Sequence, residues 1–388
     1  MTTPITTDRP GGFLQRPAVR RFCSDPPAVA GLCGIALLLL LALAAPLIAN
    51  GRPLLLRTDA GWSAPFWRTI FAPDSPEYLI EQVFNYFLLL ALARLPLRLI
   101  PARRWRRAAR GAAAALLLIP FFLVSPRMDK TDYRVLPHTF ALFAPIPYGP
   151  FEPAGPICAP PDRAHWLGTD DIGRDVASRL LYGTRVSLAV GLGATALALA
   201  IGTAVGLATG FFRGVFDLTV MRLVEIVMCF PTFLLLLILM AILKDRKCEQ
   251  SILVVIAVIG LTGWIGTAFL VRGETLKQRV MPYIQSCEVA GIPAWRTMTR
   301  HLLPNIVAPI LISFTFGVAG AILAESGLSF LGFGVQPPTA SWGGLLRQAF
   351  DDPLTYWHLT LFPGIALFVA LCSFNFTGEG LRKALSPK

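Results

Sequence analysis

Apolar residues in this chain come in long uninterrupted runs, separated by short stretches rich in charge, Pro or Gly. Six runs are long enough, and poor enough in charge, to cross a bilayer as helices: 28–49, 186–210, about 218–243, 251–271, 305–324 and 359–377. About 20 apolar residues at helical rise match the ~30 Å hydrocarbon layer. Arg222 and Glu225 fall in the first turns of the third run, at a spacing that lets them pair. They read as an interfacial ion pair, with an intramembrane ion site as the alternative. The region 77–130 is different. Its apolar runs, 83–97 and 111–125, are short, and Arg94 and Pro96 interrupt the first. Between them lies Arg103-Arg104-Trp105-Arg106-Arg107-Ala108-Ala109-Arg110. Two further crossings, eight in all, are the preferred reading; an external hairpin or a pair of interfacial helices is the alternative. The stretch 148–161 is Pro- and Gly-rich and reads as an ordered loop.

The organisation expected is thus a leader over 1–27, a first transmembrane helix over 28–49, and an external region over 50–164 containing a helical hairpin at 79–125. A core follows over 165–388, with a polar loop at 274–304 inside it. Because the first apolar run begins only near Ala28 and is long enough to span, it reads as an uncleaved helix and not a signal peptide.

Composition agrees with this plan. Of 388 residues, 54% are hydrophobic and 15% charged, against about 25% charged in soluble domains. The net charge of +12 does not imply nucleic acid, because no dense basic patch is interleaved with stacking aromatics. Membrane proteins collect Lys and Arg on the cytoplasmic side. Alternating crossings put Arg16, Arg20, Arg21, Arg213, Arg272, Lys277, Arg279, Arg296, Arg300, Arg382, Lys383 and Lys388 on one side, hence cytoplasmic N- and C-termini in a multi-pass inner-membrane protein. Lys244, Arg246 and Lys247 form one short loop that disagrees. The seven cysteines show no metal-type spacing; Cys158 and Cys248 lie in loops read as external, which leaves a disulfide between them open.

The polar loop carries the clearest mechanical signal. Residues 281–304 sit between two uncharged runs and hold Gly291, which at a helix end adopts positive φ without steric cost. Pro293 is suited to start a second short helix, and Pro304 to start the next membrane helix. Such a helix–turn–helix is built to receive a push. Nothing points to chemistry within the chain. None of the lysines (130, 244, 247, 277, 383, 388) follows a glycine, so the Gly-Lys pair of a phosphate-cradling loop is absent. His301 has no Ser or Cys arranged as nucleophile, and the adjacent Asp351 and Asp352 diverge on either regular structure. His165 near Asp170 raises a metal site, but a lone His is a weak ligand set. A secondary carrier or channel would show charged or broken helices in mid-membrane, and a mere scaffold would leave the elbow without purpose.

Three blocks resemble the inner-membrane permeases of bacterial peptide and nickel ABC importers. The first is His165-Trp166-Leu167-Gly168-Thr169-Asp170-Asp171-Ile172-Gly173-Arg174-Asp175-Val176, continuing through Ser178-Arg179 and Tyr182-Gly183-Thr184-Arg185. The second is the polar loop. The third is Glu325-Ser326-Gly327-Leu328-Ser329-Phe330-Leu331-Gly332-Phe333-Gly334-Val335-Gln336-Pro337-Pro338, then Ser341-Trp342-Gly343. Residues 47–55 and 144–148 look like the branch importing microcin C and longer peptides. The region 77–130 has no counterpart in that family.

The resemblance implies an all-α polytopic membrane protein with the type I ABC importer permease fold: six core transmembrane helices plus an extra pair. In the polar loop the family's Glu-Ala-Ala triplet falls on Gln285, Ser286 and Cys287, its glycine on Gly291, its branched position on His301 and its closing pair on Leu303 and Pro304. Gln285 departs from the family glutamate, keeping hydrogen bonds but losing charge, and Glu288 one turn on is the substitute anion. The first block implies an amphipathic external helix that caps the entrance, with Asp170, Gly173, Arg174, Asp175 and Arg179 as the gate and Asp171 in its ion pairs. The third implies a structured external loop that docks a binding protein or packs on the partner permease. The partners implied are a homologous second permease, two ATPase subunits, a periplasmic or lipid-anchored substrate-binding protein and the bilayer, with no nucleic acid. ATP and Mg would be bound by the ATPases, with no cofactor in this chain. The cargo implied is peptide, moved by alternating access; nickel or another small solute is the alternative.

Overall fold

The architecture is a helical bundle with one small sheet, seen in a computed structural model that describes residues 17–59, 61–71, 75–97, 103–123, 133–135, 137, 139–248 and 250–385. In chain order the helices are α1 (Pro17–Cys23), α2 (Pro26–Ile48), α3 (Phe66–Phe71), α4 (Tyr78–Leu97), α5 (Arg103–Leu123), α6 (Val176–Phe212), α7 (Gly214–Met228), α8 (Thr232–Asp245) and α9 (Ile252–Arg279). They continue with α10 (Pro282–Val289), α11 (Ala294–Arg296), α12 (Val307–Phe330), α13 (Trp342–Gln348) and α14 (Trp357–Leu385). Strands β1 (Leu55–Thr58), β2 (Gly61–Ser63) and β3 (Phe140–Leu142) form an antiparallel sheet in the order β2-β1-β3, with Leu56 opposite both Ser63 and Ala141. Arg16, Lys130, Lys388, the first part of the leader and the tip of the expected hairpin lie outside the described residues.

Among the described residues, α2, α6, α9, α12 and α14 are each long and apolar enough to span, and α7 with α8 makes a sixth crossing only as a pair bent by 80°. The run expected as one helix over 218–243 is therefore broken. Pro231 has no N–H for the helical ladder, and its ring drives Phe230 out of the helical region. The second half restarts at Thr232, directly after the proline.

The spans define two sides. At one, α6 and α9 end, α12 begins, and α14 closes on α2 through Lys383 and Asp25 at 3.0 Å; this is the elbow side. At the other, the cap side, α2 and α12 end and α6 and α9 begin.

Packing between α6 and α9 organises the bundle. Gly202, Gly206 and Gly210 recur every four residues and make one stripe along α6. A Cβ at Gly202 would stand 2.6 Å from the Trp264 carbonyl oxygen, one at Gly206 2.6 Å from that of Ala268, and one at Gly210 3.0 Å from that of Arg272. Lipid tails are as apolar as leucine, so helices gain little from leaving them, and close backbone approach over small residues becomes the source of association. Further toward the cap side, Val186, Val190 and Ala194 of α6 pack with Ile252, Val255 and Ile259 of α9 and with Leu236 and Met240 of α8.

Helices α4 and α5 form the hairpin that the sequence suggests. Tyr86 donates to the Ala114 carbonyl at 3.1 Å, and Asn85 to the Ile70 carbonyl at 2.9 Å. Glu77 accepts from the Ile252 N–H at 2.9 Å, capping the start of α9. Phe84 lies under the Arg185 guanidinium, 5.5 Å away. Neither helix is among the spans found in the described residues.

The seam yields a direct expectation. Gly206→Val should lower the thermal midpoint in detergent by the equivalent of about 1–3 kcal/mol, as overpacking does. Gly273→Ala, where an added Cβ meets nothing within 4 Å, should be neutral or stabilising by about 0.5–1 kcal/mol. Equal midpoints for both variants would refute the seam as the packing determinant.

Candidate functional site

The polar loop folds as an elbow. Helix α10 starts with Pro282 at its first position, where the missing N–H costs nothing. It ends in two overlapping turns: Gly291 N–H bonds the Glu288 carbonyl and Ile292 N–H the Cys287 carbonyl, both at 3.0 Å. This double closure requires a left-handed residue at the junction, and Gly291 has φ +66°. The chain then re-enters helix at Ala294, widens into a π turn over Thr297–Leu302, and tightens over Leu303–Asn305 before α12. Two expectations are corrected here. Pro293 is the residue just before the short helix, with extended backbone. Pro304 sits in the tight turn, and α12 begins only at Val307, because the π turn over 297–302 must first be closed.

The elbow is anchored on one face and bare on the other. Ile284, Leu302 and Ile306 are buried against Leu207 and Phe211 of α6 and Val271 of α9, each contributing about 1.5–3 kcal/mol on burial. Arg279 donates to the Phe211 carbonyl and covers its ring at 5.3 Å. Arg272 grips Asp217 of α7 with two bonds of 2.6 Å. Of the predicted positions, Cys287 faces inward as a small apolar filler, whereas Gln285, Ser286 and Glu288 are exposed on the opposite face. The Gln285 amide donates back to the Val280 carbonyl at 3.3 Å, and Glu288, the one carboxylate among these positions, stands 3.8 Å from Arg279. Leu303 is half-buried and Pro304 exposed; Leu302, not singled out from the sequence, is the fully buried anchor. Also missed were Val289 and Trp295, 91% and 66% exposed on either side of Gly291. These bare apolar side chains on either side of Gly291 are available for contact, and their signal in the sequence is the uncharged Val-Ala-Gly-Ile-Pro-Ala-Trp stretch itself.

On the cap side, the first block is not the amphipathic helix expected. Gly168 and Gly173 both have φ above +80°, which no helix continues through. The segment before α6 is instead a knot of turns bridged at Pro153 to Arg174 and Thr169 to Asp175. Asp170 is wholly buried and central. Its carboxylate accepts from the Arg174 backbone at 2.8 Å, the Arg174 Nε at 2.7 Å and the Ile172 N–H at 3.0 Å, and lies 3.1 Å from Arg179 Nε. Arg179 also donates to the carbonyls of Pro150 at 3.0 Å and Pro338 at 3.3 Å, so it ties the third block to the first. Asp175 caps α6 through the Ser178 N–H at 2.8 Å and pairs with His165 Nδ1 at 2.9 Å, beneath the stacked ring of Tyr148. His165 thus partners Asp175 and not Asp170. Gly173 lets the turn close against Gly155, whose carbonyl oxygen would lie 2.3 Å from an added Cβ. Asp171 is half-exposed; partial burial and the Asp170 carboxylate push its pKa up, with Arg174 and Arg179 opposing.

The third block is sewn over this knot. Trp342 is buried and donates to the Leu180 carbonyl at 3.2 Å, Gln336 bonds Gln250 at 2.7 Å, and Lys244 donates to the Gly332 carbonyl at 3.1 Å above the Phe333 ring. The last contact gives one cation of the discordant basic loop a local role. Cys158 and Cys248 are both free thiols.

A bundle of apolar spans, with a bare elbow at one face and a clasped loop system at the other, has the architecture of a membrane permease. The chain matches the family described as binding-protein-dependent transport system inner membrane component over residues 183–388, and the N-terminal transmembrane domain of oligopeptide transport permease C over 14–60. It is 38% identical over 228 residues to the glutathione transport system permease protein GsiD of Pectobacterium atrosepticum, covering 59% of this chain and 74% of that protein. A Brucella suis protein whose name assigns it to a peptide transport system is 40% identical over 229 residues, 59% of this chain and 75% of that one. The chain therefore belongs to the family of inner-membrane components of binding-protein-dependent transport systems. It is a multi-pass transport subunit of an ABC importer and not an enzyme, acting with ATPase and binding-protein components.

The cap network predicts a contrast between neighbours. Asp170→Asn should cost about 3–5 kcal/mol, because two buried guanidinium groups lose their anion. Asp171→Asn should change stability by less than about 1 kcal/mol, as for an exposed pair. Thermal unfolding of the two variants decides; equal losses would contradict the assignment of Asp170 as the centre.

Proposed function

We propose that this chain forms one half of a peptide pathway through the inner membrane, opened and closed by ATPases that dock on the elbow. The observation that carries the reading is the elbow itself: a left-handed hinge at Gly291, flanked by exposed Val289 and Trp295, on a base clamped to α6, α9 and α12. A homologous second permease supplies the other half, and two ATPases hold ATP and Mg. The elbow side is cytoplasmic, with both termini there, as the Lys and Arg distribution supports. Residues 165–388 act as the moving core, 28–49 as its first helix, and 50–164 as the external region. The binding protein, periplasmic or lipid-anchored, delivers cargo to the cap side. Peptide cargo is supported by relatives named for glutathione and peptide transport.

In this mechanism, ATP binding draws the two ATPases together and carries the elbows with them. Gln285, Ser286, Cys287, Glu288 and Gly291 form the coupling contact, with Leu303 and Pro304 passing the motion to α12. Asp170, Gly173, Arg174, Asp175 and Arg179 keep the loops of the cap side in one piece as the bundle opens.

Gly291→Val tests this directly. A β-branched residue is strained at positive φ by about 1–2 kcal/mol, while an added Cβ there meets nothing within 4 Å. The expected result is peptide uptake lowered more than about tenfold in vesicles bearing the full complex, with ATP hydrolysis persisting and the thermal midpoint lowered by no more than that strain. Uptake equal to the unmodified complex would overturn the coupling role.

A further inference from the structure

Helix α7 stands apart from the bundle. Only Met221 and Val224 of its residues are buried, while Leu223 and Ile226 are each 60% exposed. On one face, at positions i, i+3 and i+7, it carries Arg222, Glu225 and Cys229. Arg222 Nη1 donates to Glu225 at 2.6 Å, with side chains 70% and 49% exposed, and the Cys229 thiol donates to the Glu225 carbonyl at 3.4 Å.

The depth of this face follows from its two anchors. Asp217 is held by Arg272, the residue at which the uncharged run of α9 stops. Phe233, beyond the break, lies against Gly327, near the cap-side end of α12; a Cβ on that glycine would come 3.1 Å from its ring. Between these anchors the chain climbs up to ~24 Å of the membrane at ~1.5 Å per helical residue. By helical rise, Arg222 and Glu225 come about 8 and 12 Å into that climb from Asp217, which puts them within the hydrocarbon layer and deeper than the interfacial site expected from the sequence. An ion pair bared to lipid there is costly, and intramembrane charges face a bundle interior or a water-filled cavity. Nothing else in the described chain covers it.

We infer that the Arg222–Glu225–Cys229 face of α7 lines an aqueous solute pathway, and that the ion pair binds the charged ends of a peptide in transit. This rests on the peptide reading above. The chemistry is complementary: the guanidinium presents a fork to the terminal carboxylate, and Glu225 accepts from the terminal ammonium. A hydrated ion pair is weak, so it exchanges partners with a passing zwitterion readily, as transport requires. The bend at Pro231 lets this face turn while α8 stays packed on α9.

The experiment uses the full complex in proteoliposomes, made cysteine-free except for Cys229. A membrane-impermeant cationic methanethiosulfonate should modify Cys229, and trialanine with free termini should slow the reaction at least threefold. No modification in any nucleotide state would place this face against lipid or protein and overturn the inference. In parallel, Arg222→Gln should raise the KM of uptake about tenfold for trialanine and leave that for its C-terminal amide unchanged; an equal effect on both overturns the role of the ion pair. If the unmodified complex takes up no peptide, the peptide reading fails instead, and Cys229 labelling still decides whether the face is wet.

Discussion

The close approach of α6 to α9 is the constraint on which the rest of the molecule depends. Three glycines at intervals of four let the backbones meet at a distance that any side chain would forbid. Because hydrocarbon offers no hydrophobic drive between helices, this fit holds the pair by packing alone. Its consequence is mechanical. The two spans, 37 and 28 residues long, become one rigid member, reaching from the capped start of α6 to the last turn before the elbow.

Each end of that member is fastened by a different kind of interaction, suited to its surroundings. At the elbow side the fastening is mostly apolar, with Ile284, Leu302 and Ile306 seated against Phe211 and Val271. At the cap side it is ionic and buried: Asp170 collects two guanidinium groups, and Arg179 passes the restraint on to the carbonyls of Pro150 and Pro338. Buried charge networks of this kind hold a geometry firmly, because breaking one partner strands the other. The geometry thus offers a displacement of the elbow's base a stiff path, along the α6–α9 member, to the loops at the opposite face.

Much of this was legible in the residues. The apolar runs located five of the six crossings, and Gly291 announced the left-handed hinge because few other residues tolerate that backbone. The ion pairs around Asp170 were also expected from their charges. Three features were not legible, each for a physical reason. The break in the third crossing turned on the single Pro231 within an otherwise continuous apolar run, where composition outweighs one residue. The first block's mix of charges and glycines before a spanning run suggests an amphipathic helix, yet Gly168 and Gly173 at positive φ make it a knot of turns, and such φ values are selected by tertiary contacts. The inward face of the elbow, with Leu302 buried and Leu303 only half so, depends on a π turn that shifts the phase of the helix, which periodicity cannot anticipate.

The most direct measurement of the account is a pair of intramolecular and intermolecular distances in the assembled transporter. Spin labels at Val289 on the elbow and Leu261 on α9 should keep their separation when ATP binds, because the seam makes them one body. A label at Ile172 and one at the matching position of the second permease proposed above should then move apart by several ångströms. The opposite outcome, an elbow that shifts relative to α9 while the two cap sides stay fixed, would contradict a rigid lever within this chain.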